Sequence, residues 1–312
     1  MRGSGGLRRH SGPTPPPAVG MMCVPFVHVG GSLGMLGSLY SGNTSVVQHR
    51  FGAGEWLRLV QEHRVSTAFL VPTMLQRILD HPDFADTDLT SLVAIAYGAA
   101  AAPVALVRRA LAALPHVAFA NVFGQTETLG AYTTLLPEDH RDPNRVGSVG
   151  RPLPGVDVRV VDPDTGTDVE METVGELWVH TSQNVSEGWL HTGDLARQDA
   201  DGYIYPSGRL TDTINRGGEK FGPIEVEEAL RTHPAVSDAA VAGIADEEMG
   251  QRVGAVVVAR SPVTLEELRS HCRELIACFK LREWLLIVDH IPYTDTGKVN
   301  RRQLAALIAS RA

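Results

Sequence analysis

The sequence is short of positive charge and of cysteine. Lys and Arg together number 28 against 36 Asp and Glu, a formal net charge of −8. A nucleic-acid-binding domain needs clustered Lys and Arg to neutralise phosphates, so this balance argues against that class. Cys23, Cys272 and Cys278 have no CxxC spacing and are too few for a disulfide framework. They predict buried packing roles and a reducing compartment, the cytoplasm.

Long apolar runs are also missing. Residues 21–40 are fairly apolar, but Pro25, His28 and several glycines interrupt them, whereas a bilayer span needs about 20 mainly apolar residues in a continuous helix. No transmembrane helix is predicted. Residues 1–20 carry arginines followed by Ser, Gly and consecutive prolines, which argues against a signal peptide and predicts a flexible tail.

The length of 312 residues suits about two domains at the usual ~150 residues each, and nothing in the composition requires oligomerisation. Between residues 55 and 123 helix-like and strand-like stretches alternate in the order αβαβαβ, with Pro72 and Pro103 in first helical turns. Apolar strands joined by helices predict a parallel sheet with right-handed crossovers. Residues 21–145 are therefore predicted to form an α/β subdomain.

In such a sheet the turns that follow the strands meet at one edge, where open α/β sheets bind ligands. Two turns qualify, GAAAAP at residues 98–103 and GQTET at residues 124–128. They are predicted to line one crevice.

The pattern changes after about residue 145. Short strands broken by Asp, Pro and Gly predict a small antiparallel β-subdomain over residues 146–208. A helix, two strands, a second helix, a third strand and a last helix follow over residues 209–312, with Thr264 as the N-cap of the second helix. They predict a compact α+β lid domain. The predicted class is α/β with these two additions.

Five motifs occur in order along the chain. They are NVFGQTET at 121–128, TGD at 192–194, GRLTDTI at 208–214, GGEKFGPIEVE at 217–227 and PYTDTGKVNRRQL at 292–304. Together they resemble the adenylate-forming superfamily, which contains AMP-forming acyl-CoA synthetases, peptide-synthetase adenylation domains and luciferases. The resemblance covers residues 24–302. It implies an ATP-dependent acid–thiol ligase that makes an acyl-AMP and transfers the acyl group to CoA.

The GQTE motif supplies polar groups after a strand. Gly124 lets the backbone approach a ligand, Thr126 can hydrogen-bond a phosphate oxygen, and Glu127 offers a hard oxygen ligand suited to Mg²⁺. By the resemblance, Gly124 and Gln125 belong to the nucleotide site, and Thr126 and Glu127 hold the phosphates and the metal. Alone, such a stretch is more often an ordinary polar loop, and the surrounding motifs favour the functional interpretation.

Asp194 and Arg209 are the second predicted group. A carboxylate can accept hydrogen bonds from both hydroxyls of a ribose, and a guanidinium adds donors. A turn aspartate paired with a surface arginine is the commoner reading without the flanking motifs. The resemblance assigns both residues to the ribose, and assigns Gly98 and Ala99 to the adenine, where small residues let a flat base lie against backbone.

Lys298 follows a glycine turn and presents one ammonium before the last helix. The resemblance makes it catalytic, because a carboxylate attacking the α-phosphate builds negative charge that a cation stabilises. The same resemblance gives Gly217 and Gly218 to the CoA channel, Thr211 to the hinge before the lid, and His28 to the acyl pocket. By residue type alone the glycines are compatible with a turn, and His28 with a packed core position.

Two features depart from the family pattern. No phosphate loop ending in PKG is present, and RGSGG at residues 2–6 has neither its lysine nor a preceding strand. The segment between GELWVHTSQNV and GWLHTGD is also short. These departures indicate an N-terminally truncated ligase in which adenylation is slow or lost. The alternatives are a protein that only binds AMP or acyl-AMP, or an adenylation domain acting on a carrier protein, which the lack of a carrier domain disfavours. A fatty acid is the substrate expected by analogy.

Overall fold

The computed structural model describes residues 17–185, 187–277, 280, 284–294 and 297–311. These residues form three sheets with seven α-helices around them. Most of the predicted tail, the RGSGG stretch and Cys278 lie outside the described residues. Cys23 and Cys272 are free and buried, as predicted.

The first sheet has seven strands in the order β2-β1-β3-β4-β5-β6-β7. They are β1 (Val19–Met22), β2 (Thr44–Val47), β3 (Thr67–Leu70), β4 (Ala94–Gly98), β5 (Ala118–Gln125), β6 (Gly130–Leu135) and β7 (Arg151–Pro152). Strands β1 to β5 run parallel, which confirms the predicted parallel sheet. The antiparallel β6 and β7 were not predicted. The first strand also begins within the predicted tail.

Four helices connect these strands: α1 (Val29–Tyr40), α2 (Ala53–His63), α3 (Pro72–Leu79) and α4 (Val104–Ala113). The predicted αβαβαβ order is confirmed from α2 to β5. Pro72 starts α3 as expected, and Pro103 is the residue before the first turn of α4. Trp56, Leu75 and Phe119 are among the fully buried side chains of this core.

Helix α1 was not predicted, because its glycines disfavour a helix. Its first turn packs closely: a Cβ on Gly31 would lie 2.3 Å from the carbonyl oxygen of Pro25. On the same helix Leu36, Leu39 and Tyr40 are exposed. Within the described part of the chain, no helix combines the length and the apolar character that a membrane span requires.

The second sheet is antiparallel, in the order β11-β10-β9-β8. Its strands are β8 (Val156–Val161), β9 (Gly175–Thr181), β10 (Leu190–Gln198) and β11 (Ile204–Arg209). This is the antiparallel sheet predicted between residues 146 and 208. Tyr132 of β6 packs in the same buried cluster as Leu177 and Ala196, so the first sheet lies against the second.

The C-terminal part, the lid domain, contains the third sheet. Its strands are β12 (Ile214–Arg216), β13 (Glu219–Phe221), β14 (Val236–Asp246), β15 (Gly250–Ala259) and β16 (Trp284–Ile287), and its helices are α5 (Pro223–Arg231), α6 (Leu265–Arg273) and α7 (Arg301–Ala309). Leu230 and Leu268 pack in one core cluster of this domain and Ile308 in another. Thr264 caps α6 as predicted, with its side chain accepting a hydrogen bond from the Glu267 N–H at 3.2 Å.

Candidate nucleotide site

Asp194 and Arg209 lie directly opposite each other on β10 and β11. Arg209 Nε is 2.8 Å from Asp194 Oδ1. The carboxylate is 8% exposed. Thr192 supports it from below: its hydroxyl donates to the Leu177 carbonyl at 2.6 Å and accepts from the Asp194 N–H at 3.0 Å. The Asp194 backbone is thus hydrogen-bonded to Thr192, and its largely buried carboxylate is paired with Arg209.

Charges from distant parts of the sequence converge on Asp194. Burial raises the pKa of its carboxyl group, the positive charges of Arg209 and Lys298 oppose that rise, and the carboxylates of Asp212 and Glu127 add to it. Residues separated by more than a hundred positions thus act on one group. Raised pKa values from burial with specific charge partners are typical of functional sites.

The turn that carries Lys298 is braced against the first domain. The Thr294 N–H donates to the Lys298 carbonyl at 2.8 Å, and Gly297 has a positive φ of +76°. A Cβ on Gly297 would lie 2.6 Å from Thr73 Oγ1, at the start of α3. The exposed Lys298 side chain is therefore presented across the boundary between the lid and the first domain.

The two predicted loops follow adjacent parallel strands, β4 and β5, and so lie at the same sheet edge. Gly98 pairs with Val122, whose carbonyl oxygen lies 2.1 Å from where a Cβ would be. Ala99 has a φ of +66°, which is rare for a residue with a side chain. Backbone strain of this kind clusters at functional sites.

At Gly124 the structure gives a different reason for the glycine. A Cβ there would lie 1.9 Å from the carbonyl oxygen of Gly130 on β6. The close approach is therefore to a neighbouring strand. The residue is needed for strand pairing, and its contact with a nucleotide, like that of Gln125, stays a prediction.

Thr126 and Glu127 form a short 3-10 turn after β5 and are both exposed. The Glu127 carbonyl accepts a hydrogen bond from the Val185 N–H at 2.9 Å, so the shortened β9–β10 connection contacts this turn. The described residues contain no group of three or more metal-ligating side chains. The exposed carboxylate of Glu127 has the chemistry of a Mg²⁺ ligand, since this ion is usually held by one or two carboxylates together with phosphates and water.

The glycines predicted for the CoA channel lie in a hairpin turn. Gly217 and Gly218 have φ values of +58° and +92° and form the two-residue turn between β12 and β13, the geometry that favours glycine. Lys220 of this hairpin is 3.6 Å from Asp164, in the β8–β9 turn. The hairpin turn accounts for both glycines, and their contact with CoA stays a prediction.

Thr211 and His28 occupy element ends. Thr211 is exposed in the 3-10 turn Leu210–Asp212, which joins β11 to the lid, the place expected of a hinge. His28 is half-buried just before α1. A cavity of about 230 Å³ lies between α1, β1 and β3 with Met22, Gly34 and Phe69 in its wall, and among the described residues His28 does not line it. Its role in an acyl pocket stays a prediction.

Tyr132 is a residue near the site that the sequence did not single out. It is 1% exposed, and its hydroxyl has no hydrogen-bond partner among the described residues. Burial raises its pKa, the charge of Asp194 raises it further, and Arg209 opposes the rise. An aromatic residue in an alternating strand carries no signal of such a position.

Comparisons with known proteins agree with the arrangement. The family model for AMP-binding enzymes matches residues 6–190, and the model for their C-terminal domain matches residues 225–298. A medium/long-chain-fatty-acid–CoA ligase of Mycobacterium tuberculosis is 35% identical over 309 residues, covering 92% of this chain and 53% of that protein. A 2-succinylbenzoate–CoA ligase of Bacillus licheniformis is 32% identical over 299 residues, covering 91% and 60%. The chain spans about half the length of the curated relatives it matches.

Solved structures are similar too. An amide bond synthetase from Marinactinospora thermotolerans has a TM-score of 0.85 at 29% identity, covering 94% of this chain and 61% of that one. The o-succinylbenzoate CoA synthetase of Bacillus subtilis, solved with its acyl-adenylate intermediate, has a TM-score of 0.78 at 29% identity, covering 92% and 60%. With the five ordered motifs and the converging charges, these matches establish that the chain belongs to the AMP-binding enzyme family of the adenylate-forming superfamily.

Proposed function

We propose that this chain carries the nucleotide pocket and lid of an acid–thiol ligase, which activates a carboxylic acid with ATP as acyl-AMP and transfers the acyl group to CoA. The convergence of Arg209, Lys298 and Glu127 on the buried Asp194 is the observation that carries this function. It supports a role for the Asp194 anion at the ribose and for the Lys298 cation at the phosphate. The curated relatives include ligases named for fatty acids, which favours a fatty acid as substrate.

In the first step an oxygen of the substrate carboxylate bonds to the α-phosphorus of ATP, and the bond from that phosphorus to the bridging oxygen breaks, releasing pyrophosphate. Lys298 stabilises the negative charge that accumulates on the α-phosphate oxygens. Asp194 accepts hydrogen bonds from the ribose hydroxyls and fixes the nucleotide in line for attack. Glu127 would hold Mg²⁺, whose chemistry is to neutralise the phosphate oxygens.

In the second step the CoA sulfur, as thiolate, bonds to the acyl carbon and AMP leaves with the bonding electrons. Gly217 and Gly218 form a hairpin turn of the lid, and Lys220 of this hairpin is 3.6 Å from Asp164. Rotation of the lid about the turn that contains Thr211 would bring this hairpin to the acyl group. The two half-reactions would then use two positions of the lid.

Pyrophosphate release measured across a panel of fatty and aryl acids tests this function. With Lys298→Ala we expect release to fall by about 100-fold or more, as when a transition-state donor is lost. Lys280→Ala is the matched control, because that ammonium pairs with Glu225 at 2.6 Å on the lid. If no acid gives release while calorimetry still detects AMP binding, the chain is a nucleotide-binding protein and not a working ligase.

A further inference from the structure

A carboxylate of the lid touches the first domain at the end of a helix. Glu228 Oε2, on α5, accepts a hydrogen bond from the N–H of Val104 at 3.3 Å. Val104 is the first residue of α4, and the preceding residue, Pro103, has no side chain that can cap a helix. The first N–H groups of a helix lack internal partners and carry partial positive charge, so a carboxylate is favoured there. The lid therefore supplies the cap that the first domain lacks.

The contact lies next to the candidate nucleotide site. Val104 directly follows the loop of residues 98–103, and that loop contains the strained Ala99. A carboxylate that binds the start of α4 consequently holds the lid at the end of the loop predicted to receive the adenine.

A line of hydrogen bonds and ion pairs connects Glu228 to the turn that carries Lys298. Arg231 NH1 lies 3.1 Å from Glu228 Oε1, and Arg231 Nε lies 3.3 Å from Asp238 Oδ1. The Tyr293 hydroxyl donates to Asp238 Oδ2 at 2.5 Å. Tyr293 directly precedes Thr294, whose N–H donates to the Lys298 carbonyl.

This line is rigid because its central cation is enclosed. The Arg231 side chain is 11% exposed, and it also donates to the Ala239 carbonyl at 2.5 Å. A guanidinium fixed by several acceptors loses little further freedom when it orients one more carboxylate. Arg231 thus holds one oxygen of the Glu228 carboxylate while the other accepts from the N–H of Val104.

From this geometry we infer that Glu228 is a positioning residue: it docks the lid on the start of α4 and so keeps Lys298 facing Asp194. Its effect on rate rests on the proposed function, whereas its effect on the domain arrangement does not. Loss of the carboxylate is expected to impair acyl-AMP formation, which needs this arrangement, and to spare acyl transfer, which needs the other lid position.

The domain arrangement is tested by a distance between two spin labels, at Asp86→Cys in the first domain and Glu247→Cys in the lid, both exposed positions. Cys278 is replaced by Ser, and the buried Cys23 and Cys272 remain. We expect a narrow distance distribution with Glu228 present and a broadened or shifted one with Glu228→Ala. Glu225→Ala is the matched control, because Glu225 lies on the same helix and pairs with Lys280 inside the lid.

The two half-reactions give the second measurement. With Glu228→Ala, acyl-AMP formation in a single turnover should fall by about tenfold, the usual effect of losing a hydrogen bond to a charged group, while transfer from supplied acyl-AMP to CoA stays within about twofold. Glu228→Gln keeps an acceptor and should restore part of the loss.

An unchanged distance distribution in Glu228→Ala would overturn the positioning role, whatever the rates show. Equal loss in both half-reactions would overturn it as well, since that is the effect of general damage to the lid. If the unaltered chain forms no acyl-AMP, the proposed function fails while the distance measurement still decides whether Glu228 docks the lid.

Discussion

Two of the aspartate–arginine pairs at the second sheet differ in the direction in which the pKa of the carboxyl group is shifted. Asp168 is 2.7 Å from Arg159 and largely exposed, and its hydrogen bond with that arginine lowers the pKa of the carboxyl group. Asp194 is 2.8 Å from Arg209 but buried, and burial raises the pKa of its carboxyl group although its partner is also an arginine. The two carboxylate–guanidinium distances are nearly equal, and burial is the largest cause of the raised pKa of Asp194, with smaller contributions from Asp212 and Glu127. The folded protein thus disfavours the ionised form of Asp194, which lies within the sequence motifs, and favours the ionised form of Asp168, which lies outside them.

The largest difference between the pairs should appear in nucleotide binding. Asp194→Asn replaces an ionised acceptor, and we expect the dissociation constant for AMP to rise by about 100-fold, since two charge-assisted hydrogen bonds are weakened. Asp168→Asn should leave AMP binding unchanged. Calorimetric titration of both variants measures this. Equal affinities for the two would mean that the buried pair is only structural.

The second difference between the two pairs should appear in the pH dependence of AMP binding and of folding stability. The pKa of Asp194 lies above its ordinary value of 3.8, so on acidification AMP affinity should begin to fall at a higher pH than it would for an ordinary aspartate. Asp194→Asn should not show this loss of affinity. Stability has the opposite sign: the folded state binds the Asp194 proton more tightly than the unfolded chain, so protonation there favours folding. For Asp168 protonation opposes folding. Titrations of binding and unfolding against pH, in each variant, distinguish the two contributions.

Two buried tyrosines differ in whether the hydroxyl group has a hydrogen-bond partner. The Tyr203 hydroxyl donates to Asp139 at 2.7 Å, whereas the Tyr132 hydroxyl has no partner among the described residues. Tyr203→Phe should lower the free energy of unfolding by about 1–3 kcal/mol because a buried carboxylate loses a donor, and Tyr132→Phe should raise it by about 1 kcal/mol. Denaturant unfolding of both variants gives the two signs. A loss of stability in Tyr132→Phe would show that this hydroxyl has a partner.

The smallest expected effect is the contribution of the buried His140 to the pH dependence of stability. Burial lowers the pKa of His140 from 6.5, against opposing contributions from the Leu136 carbonyl and Asp139, and its ring contacts Tyr97 at 2.9 Å. The unfolded chain therefore binds the proton more tightly, and stability should fall as the pH drops below the ordinary imidazole value. Melting temperatures between about pH 7.5 and about pH 5.5 test this, since they bracket the ordinary pKa. His140→Gln should reduce the dependence.

The elements that follow local pattern were predictable from sequence. The alternation from α2 to β5, the antiparallel second sheet and the Thr264 cap are all set by periodicity and short-range hydrogen bonds. Helix α1 was not, because its glycines are unfavourable and tertiary packing compensates for them. Strand β6 was also missed. It follows a turn in which Leu129 adopts a left-handed conformation, which no residue type there signals.

The candidate site also has features that the sequence predicted and features that it could not predict. The motifs and the family resemblance predicted roles for Asp194, Arg209 and Lys298, and the structure brings the charges of these three residues together. They could not give the reason for Gly124, which depends on the carbonyl of a neighbouring strand. Nor could they reveal the docking of Glu228 on α4, since its partner is a backbone N–H 124 positions away. Backbone partners and domain orientation leave no residue signature.

Arg209 has a consequence for how the chain responds to its ligand. It pairs with Asp194 and is also the residue at which the turn containing Thr211 begins. By thermodynamic linkage, the free energy by which a bound nucleotide favours one position of the lid equals the free energy by which that position strengthens nucleotide binding. Removing residues 210–312, which include Lys298, should therefore weaken nucleotide binding, although Asp194 and Arg209 remain.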